Sequence, residues 1–358
     1  MSRRTTYLIA TTILAAAFVM PTIASAGDVS PRLEAPTLAA LDLNGTAAKT
    51  STLGVAPRRL AAASWWGGTY TVSGGEQVTV HVSAAYPEAD AVGRQWAEYF
   101  AGLVHGAELP ILKAYIAPLN EVEEMCGSEY VLGCYGGQTL ITIGDSSAGY
   151  IPASVAAHEY GHHIAANRIN APWAAIDWGT KRWASYMNIC FRAQVGMIFP
   201  GDEGMNYSLN PGEGFAESYR VLIETNGTAV GYDWPIVDPS FRPDAQALTA
   251  IREDALQPWS EPSTTTIRGR FLRRGRTWTT QVATRLDGDL RIGVTVPGGG
   301  ADDVTLLSDN GGTVLATGSW NSSGGKSVEY RVCGARSLKV RVTRRAAAAR
   351  FTLRVVVP

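Results

Sequence analysis

The chain is poor in the residues that usually announce a metal cluster or a membrane. It has four cysteines, none in a Cys-x-x-Cys spacing, which argues against a cysteine-rich zinc module. Only five histidines occur in 358 residues. Charged residues are scarce at 18%, while hydrophobic ones reach 46%, a balance that rules out a wholly disordered or fibrous protein. Beyond the first residues no run is apolar for the ~20 residues that a membrane helix needs. The length exceeds one typical domain, so two domains are the starting expectation. The formal net charge of -1 hides a split: residues 262–358 hold 16 of the 31 Lys+Arg and 6 of the 32 Asp+Glu, a surplus of +10 that leaves -11 for the rest.

What is present begins with a targeting signal. Arg3 and Arg4 precede an apolar run from Leu8 to Met20, and Ala24-Ser25-Ala26 supplies small residues for cleavage. Residues 1–26 are therefore expected to be a signal peptide and the protein to be secreted, with a retained anchor as the alternative. Residues 27–62, rich in Ala, Thr, Leu and Pro, read as a pro-segment or flexible spacer. An oxidising compartment favours a local disulfide between Cys126 and Cys134, which flank only seven residues. Cys190 and Cys333 pair or stay free; the sequence leaves both open.

Residues 77–82 alternate like a strand, 90–104 carry apolar residues at helical spacing, and 112–116 and 138–145 read as further strands. A helix is predicted over 152–167, with Pro152 suited to its first turn, and another from Asn210-Pro211-Gly212 through Glu224. Prolines at 258 and 262 mark a linker. Beyond it, short strand-like runs recur at 277–282, 290–296, 304–307, 327–332, 338–343 and 351–357, with glycine-rich turns between, which predicts an antiparallel β-sandwich. The Gly288-Asp289-Leu290 turn, the hairpin over 304–312 and Phe351-Thr352-Leu353-Arg354-Val355 resemble the bacterial pre-peptidase C-terminal domain family over about the last hundred residues.

His158-Glu159-Tyr160-Gly161-His162 is a His-Glu-x-x-His motif inside the first predicted helix. Positions i and i+4 share a helical face, so both imidazoles reach one metal ion while Glu159 can take a proton from its water. With so few histidines, a chance match is expected on the order of a few times per thousand such chains. Zinc in a catalytic site takes a third protein ligand and keeps one position open. The metzincin pattern asks for glycine at 165 and histidine at 168, where this chain has Ala165 and Arg168. His163 is rotated off the motif face, and His81 and His105 lie upstream in unrelated contexts. A downstream carboxylate is the better candidate, and Glu213 and Glu217 offer two at i and i+4 on the second helix.

In this the chain resembles the gluzincin metallopeptidases. Glu213-Gly214-Phe215-Ala216 is similar to the Glu-Gly-Phe-Ala of the aminopeptidase N family, but the long gap from His162 and the continuation through Glu217 to Arg220 look more like the anthrax lethal factor type. Thermolysin shares the logic of an acidic residue four after the ligand. The resemblance spans about 60 residues, from His158 to Arg220. It implies an α+β zincin-like domain (63–260) ahead of the all-β sandwich (261–358), a Zn2+ ion on His158, His162 and Glu213, and Glu159 as general base. It also implies that Glu217 accepts from a ligand imidazole, with Glu217 as the ligand instead of Glu213 the competing assignment. Gly212 and Gly214 are expected to let this helix start approach the motif helix. Tyr207, six residues before Glu213, stands near where lethal factor-like enzymes place an oxyanion-stabilising phenol; the offset differs by one, and a tyrosine packed beside the metal helix is the plainer reading. The strand at 138–145 stands where zincins keep the sheet edge that pairs with extended substrate, a buried central strand being its alternative.

The expected function is thus a secreted zinc metallopeptidase acting on peptides or proteins. The alternative is a surface-binding protein with a catalytically silent zincin domain. Arg268, Arg270, Arg273, Arg274, Arg276, Arg341, Arg344 and Arg345 could attach the sandwich to an anionic surface or form a solvated strand face. Asp302, Asp303 and Asp309 could bind calcium or be ordinary loop acids. Neither nucleic-acid binding nor a membrane span in the mature chain is expected.

Overall fold

The structure, a computed structural model, describes residues 49–52, 64–298, 302–320, 325–347 and 349–358. The expected signal peptide and most of the 27–62 segment lie outside these residues. Six strands form the first sheet: β1 (Lys49–Thr52), β2 (Trp65–Thr71), β3 (Gln77–Ser83), β4 (Lys113–Ala117), β5 (Val131–Gly136) and β6 (Thr139–Ile143), in the order β1-β5-β6-β4-β3-β2. β3, β4 and β6 run parallel, β2 and β5 pair antiparallel to their neighbours in that group, and β1 pairs parallel with β5.

The sheet is buried on both faces because its strands alternate between two apolar clusters. Ala114, Ile116 and Leu140 enter the main core with α1 (Asp90–Gly102), whereas Ala117, Ile141 and Ile143 join a second cluster under α2 (Leu119–Cys126). A disulfide from Cys126 to Cys134 ties the end of α2 to β5. The expectation that 138–145 forms the outer edge fails: β6 is central, and β5 and β1 lie outside it.

Helix α3 (Pro152–Ala166) follows β6, starts at a proline and is buried from Val155 to Ala165. A short hairpin, β7 (Ile169–Asn170) with β8 (Trp173–Ala174), and three short helices, α4 (Ala175–Trp178), α5 (Lys181–Tyr186) and α6 (Ile189–Gln194), lead to α7 (Pro211–Glu224). Asn210 caps α7 by accepting from the Gly212 amide at 3.0 Å, with Pro211 at the first helical position. Helix α8 (Ala245–Leu256) completes this α+β half.

The remainder is β-rich: β9 (Ser263–Arg270), β10 (Thr277–Thr284), β11 (Gly288–Thr295), β12 (Asp303–Leu307), β13 (Val314–Thr317), β14 (Ser319–Trp320), β15 (Lys326–Val332), β16 (Arg336–Thr343) and β17 (Arg350–Val357). They form two antiparallel sheets, β10-β16-β12-β13 and β14-β15-β11-β17-β9. Alternate residues of these strands, among them Leu290, Ile292, Val294, Leu338, Val340, Val342, Leu353 and Val355, fill one core distinct from that of the first half. Contacts between the halves include the disulfide from Cys190 of α6 to Cys333, the Asp287 amide donating to Ser185 Oγ at 2.8 Å, and the Arg331 guanidinium 5.5 Å from the Trp173 ring centre. Buried Lys181, within the first half, donates to the Ala171 carbonyl at 2.6 Å. Among the described residues no helix is long and apolar enough to cross a membrane.

Candidate metal centre

Helices α3 and α7 cross at Gly161 and Ala216. A Cβ on Gly161 would meet Ala216 Cα at 2.7 Å, so glycine is what allows this approach. The crossing sets His158 and His162, one turn apart on α3, against Glu213 and Glu217, one turn apart on α7. Gly212 and Gly214 do not serve the crossing as expected: Gly212 faces the Ile176 carbonyl and Gly214 the Phe241 ring.

His158 Nε2 lies 3.2 Å from Glu213 Oε2, and His162 Nε2 lies 3.3 Å from Glu213 Oε1. These three side chains are fully buried and each offers a ligand atom within 4.8 Å of the others; together they could hold a metal ion. No other group of three or more His, Cys, Asp or Glu residues does so among the described residues. Glu217 takes the outer position, its Oε2 3.0 Å from His158 Nδ1, while Arg220 clamps both its oxygens from 3.0 and 2.7 Å. A carboxylate on the far imidazole nitrogen fixes the tautomer that leaves Nε2 free to bind a metal. The Tyr207 hydroxyl donates to Glu213 Oε2 at 2.7 Å.

Glu159 is fully buried, and neither of its carboxylate oxygens has a hydrogen-bond partner. Its neighbour is β5: a Cβ on Gly133 would stand 3.0 Å from Glu159 Oε1 and 2.9 Å from the Ile141 carbonyl, so a side chain there would collide with the acid. Burial pushes the Glu159 carboxyl well above the usual carboxylate range; His158 opposes this, and the Glu213 and Glu203 charges add to it. Burial would also raise Glu213, but the two imidazoles outweigh it and hold Glu213 far below its ordinary value. For His158, burial disfavours the proton, yet the Glu213 and Glu217 carboxylates win and lift it to about 10. Burial keeps His162 low, against the pull of the Glu213 carboxylate 3.3 Å from its Nε2. Arg220 neutralises Glu217, which leaves the Glu213 charge and the buried Glu159 acid facing the imidazoles. Nitrogen and oxygen donors around a buried anionic centre suit a divalent cation, whose charge would offset the cost of burial.

The other expected sites fall elsewhere. His163 packs structurally, with Nε2 2.9 Å from the Glu108 carbonyl and Nδ1 3.1 Å from the Tyr135 hydroxyl. Asp302 caps the Arg345 and Ala346 amides and Asp303 pairs with Lys326 and Arg345, so both tie separate parts of the β-rich half together, while Asp309 accepts from the next amide within its own turn. Arg268, Arg270, Arg273, Arg274 and Arg276 are exposed. A cavity of about 580 Å³ lined by Trp173, Trp178, Phe199 and Arg331 lies apart from the three ligands, none of which touches it. Sequence reasoning missed Gly133, Gly161 and the clamping role of Arg220.

No family model matches the chain, and no curated protein matches it. Among solved structures, the pre-peptidase C-terminal domain of collagenase from Bacillus anthracis is similar to part of it. That match has 15% sequence identity and a TM-score of 0.22, covering 26% of this chain and 86% of that one.

Proposed function

We propose that this protein is a secreted zinc-dependent peptidase of the gluzincin type, with a zincin-like first half. The observation that carries the reading is the pairing of two things in one buried site. Three ligand side chains converge on one point, and a carboxylic acid with no hydrogen-bond partner stands beside them. A purely structural ion has no use for Glu159. Zinc is the reading the donor set supports: two imidazole nitrogens and one carboxylate are a ligand set of catalytic zinc, which keeps a further position for water. The two disulfides support an extracellular setting.

When bound, zinc supplies Lewis acidity, polarising the scissile carbonyl and acidifying a water molecule. The chain's own residues do the rest. Glu159 takes the proton from the attacking water and delivers it to the leaving amine nitrogen, a role open to a buried carboxyl that stands beside the ligands with no hydrogen-bond partner of its own. Glu217, held by Arg220, fixes the His158 ring so that Nε2 faces the site. Tyr207 is the candidate phenol for the developing oxyanion, a role that requires it to leave Glu213 Oε2.

The exposed arginines of β9 and the turn after it support a second task, attachment of the β-rich half to an anionic surface. The competing reading, a surface-binding protein with a silent metal site, makes that attachment the whole function. Digestion of a proteome-derived peptide library by the purified protein, with and without a chelator and with zinc restored, separates the two. Zinc-dependent cleavage supports the peptidase. Stoichiometric bound zinc with no cleavage of any peptide or unfolded protein refutes it.

A further inference from the structure

Between β9 and β10 the chain reads Arg270-Phe271-Leu272-Arg273-Arg274-Gly275-Arg276, without an acidic residue. Phe271 is buried against Phe351, ring centres 4.9 Å apart, and so anchors the turn; the next residue, Leu272, points outward and is 82% exposed. Three backbone bonds hold the turn: the Gly275 amide donates to the Leu272 carbonyl at 2.9 Å, the Phe271 amide to Ala349 at 2.9 Å and the Arg344 amide to Arg276 at 2.7 Å. Trp320, 63% exposed, stands at the same end of the β-rich half. Its place follows from the ladder, since Thr277 pairs with Thr343, Thr343 with Asp303, Asp303 bridges to Lys326, and Lys326 pairs with Trp320. β14, which holds Trp320, and β9, which leads to Leu272, are the two edges of one sheet, about 19 Å apart at four strand spacings.

The positive charge of this end has no internal counterpart. Arg268, Arg270, Arg273, Arg274, Arg276 and Arg350 are exposed, and among the described residues none of them forms an ion pair. The acids of this end are already engaged: Asp302 accepts from the Arg345 and Ala346 amides, and Asp303 holds Lys326 and Arg345. Arg270 and Arg350 stand directly opposite each other in the β9–β17 ladder, a like-charge pair that costs stability in the free protein and that an anionic partner relieves. A soluble polyanion would answer the arginines but gains nothing from Leu272 and Trp320. An anionic bilayer answers both, because basic side chains meet its headgroups while a leucine and a tryptophan enter the boundary below them. We propose that this end of the β-rich half docks on an anionic lipid bilayer, with Leu272 and Trp320 inserted and the arginines on the headgroups. The proposal rests on the anionic-surface reading of the β-rich half and does not depend on the peptidase reading.

The test is sedimentation of the full chain with two kinds of vesicle, phosphatidylcholine alone and phosphatidylcholine mixed with phosphatidylglycerol, beside retention on immobilised heparin as a polyanion without a bilayer. Leu272→Ser, Trp320→Ser and the pair Arg273→Gln with Arg274→Gln are compared with the parent, and urea unfolding verifies that each keeps the parental fold. The parent should bind the anionic vesicles and not the neutral ones, and added salt should weaken it. Leu272→Ser should lower vesicle binding by about tenfold, the scale of withdrawing one leucine side chain from an apolar boundary, with heparin retention unchanged. Trp320→Ser should act in the same way. Each basic residue contributes about fivefold at an anionic surface, so the paired arginine variant should lose about 25-fold on vesicles and elute earlier from heparin. If Leu272→Ser and Trp320→Ser bind vesicles like the parent, neither side chain inserts and bilayer docking is overturned. Retention on heparin with no binding to either vesicle also overturns it and leaves anionic attachment standing. Equal binding to both vesicles would mean that charge does not drive docking, which overturns the proposal as well. Binding to neither heparin nor vesicles takes the anionic-surface reading with it, and the peptide-library digestion still decides the peptidase reading separately.

Discussion

Gly161→Ala puts the geometry of the metal centre under the most direct strain. The added Cβ would stand 2.7 Å from Ala216 Cα and 3.1 Å from both the Ala216 carbonyl oxygen and Tyr219 Cβ. Carbon atoms prefer about 3.5–4.0 Å, so α3 and α7 must part by roughly 1 Å. Ala216 sits between Glu213 and Glu217, and the shift therefore carries both carboxylates away from His158 and His162. Overpacking of this kind costs about 1–3 kcal/mol, while alanine in place of glycine inside a helix returns about 1 kcal/mol. The net loss of stability is then about 0–2 kcal/mol, a fall in Tm of no more than several degrees for a chain of this size. Metal affinity should suffer more than stability. Loss of a single outer partner of a ligand already costs about 10- to 100-fold, and here a ligand and its outer partner move together. Competition with a chromophoric chelator should show zinc affinity down by at least about 100-fold in a protein that still folds. A folded Gly161→Ala variant that binds zinc like the parent would refute the reasoning, because the two helices would not be set by this contact.

Glu213→Ala should purify largely without zinc, whereas Glu217→Ala should keep it with affinity weakened about 10- to 100-fold; the reverse order in metal analysis would transfer the ligand role to Glu217. Replacing Cys190 and Cys333 by serine opens a link between residues 143 apart and should cost up to about 5 kcal/mol in urea unfolding, with no change in zinc content. Burial pushes the Lys181 ammonium down from 10.5 to about 8, against the pull of Asp287, Asp289 and Asp254. The unfolded chain therefore binds the extra proton between these values, and stability should rise with pH from 8 to 10.5 by on the order of 3 kcal/mol. Lys181→Met should remove that rise, and an unchanged pH profile in the variant would assign it to other groups.

The parts of the site legible in the sequence are those that a single helix encodes. His158 and His162 declare themselves by spacing, and Glu213 and Glu217 by the same spacing behind an Asn-Pro helix start. The disulfide of Cys126 with Cys134 follows from proximity along the chain, but Cys190 with Cys333 depends on how two halves meet and leaves no local trace. β5 was invisible for a physical reason. Its residues, Val-Leu-Gly-Cys-Tyr-Gly, are buried on both faces and so show no alternation, and Cys134 within it reads only as the end of a loop closed on Cys126. Without β5 the sequence offers β6 as the sheet edge, and the structure bears out the alternative of a buried central strand. β9 escaped because Ser-Thr-Thr-Thr presents no apolar face, its pairing with β17 being a matter of backbone. The two glycines that shape the site, Gly133 under Glu159 and Gly161 against Ala216, answer to residues 26 and 55 positions away. No pattern within a helix or strand reveals such contacts.

The central claim is that a buried carboxylate beside a metal ion does acid–base work on a peptide bond. Glu159→Gln isolates it, since the amide keeps the shape of the side chain and leaves His158, His162 and Glu213 untouched. Zinc content and peptide hydrolysis should be measured on the same preparation of this variant. The account predicts one zinc per chain, as in the parent, with hydrolysis lowered by at least about 100-fold. Hydrolysis at the parental rate by zinc-loaded Glu159→Gln would contradict it.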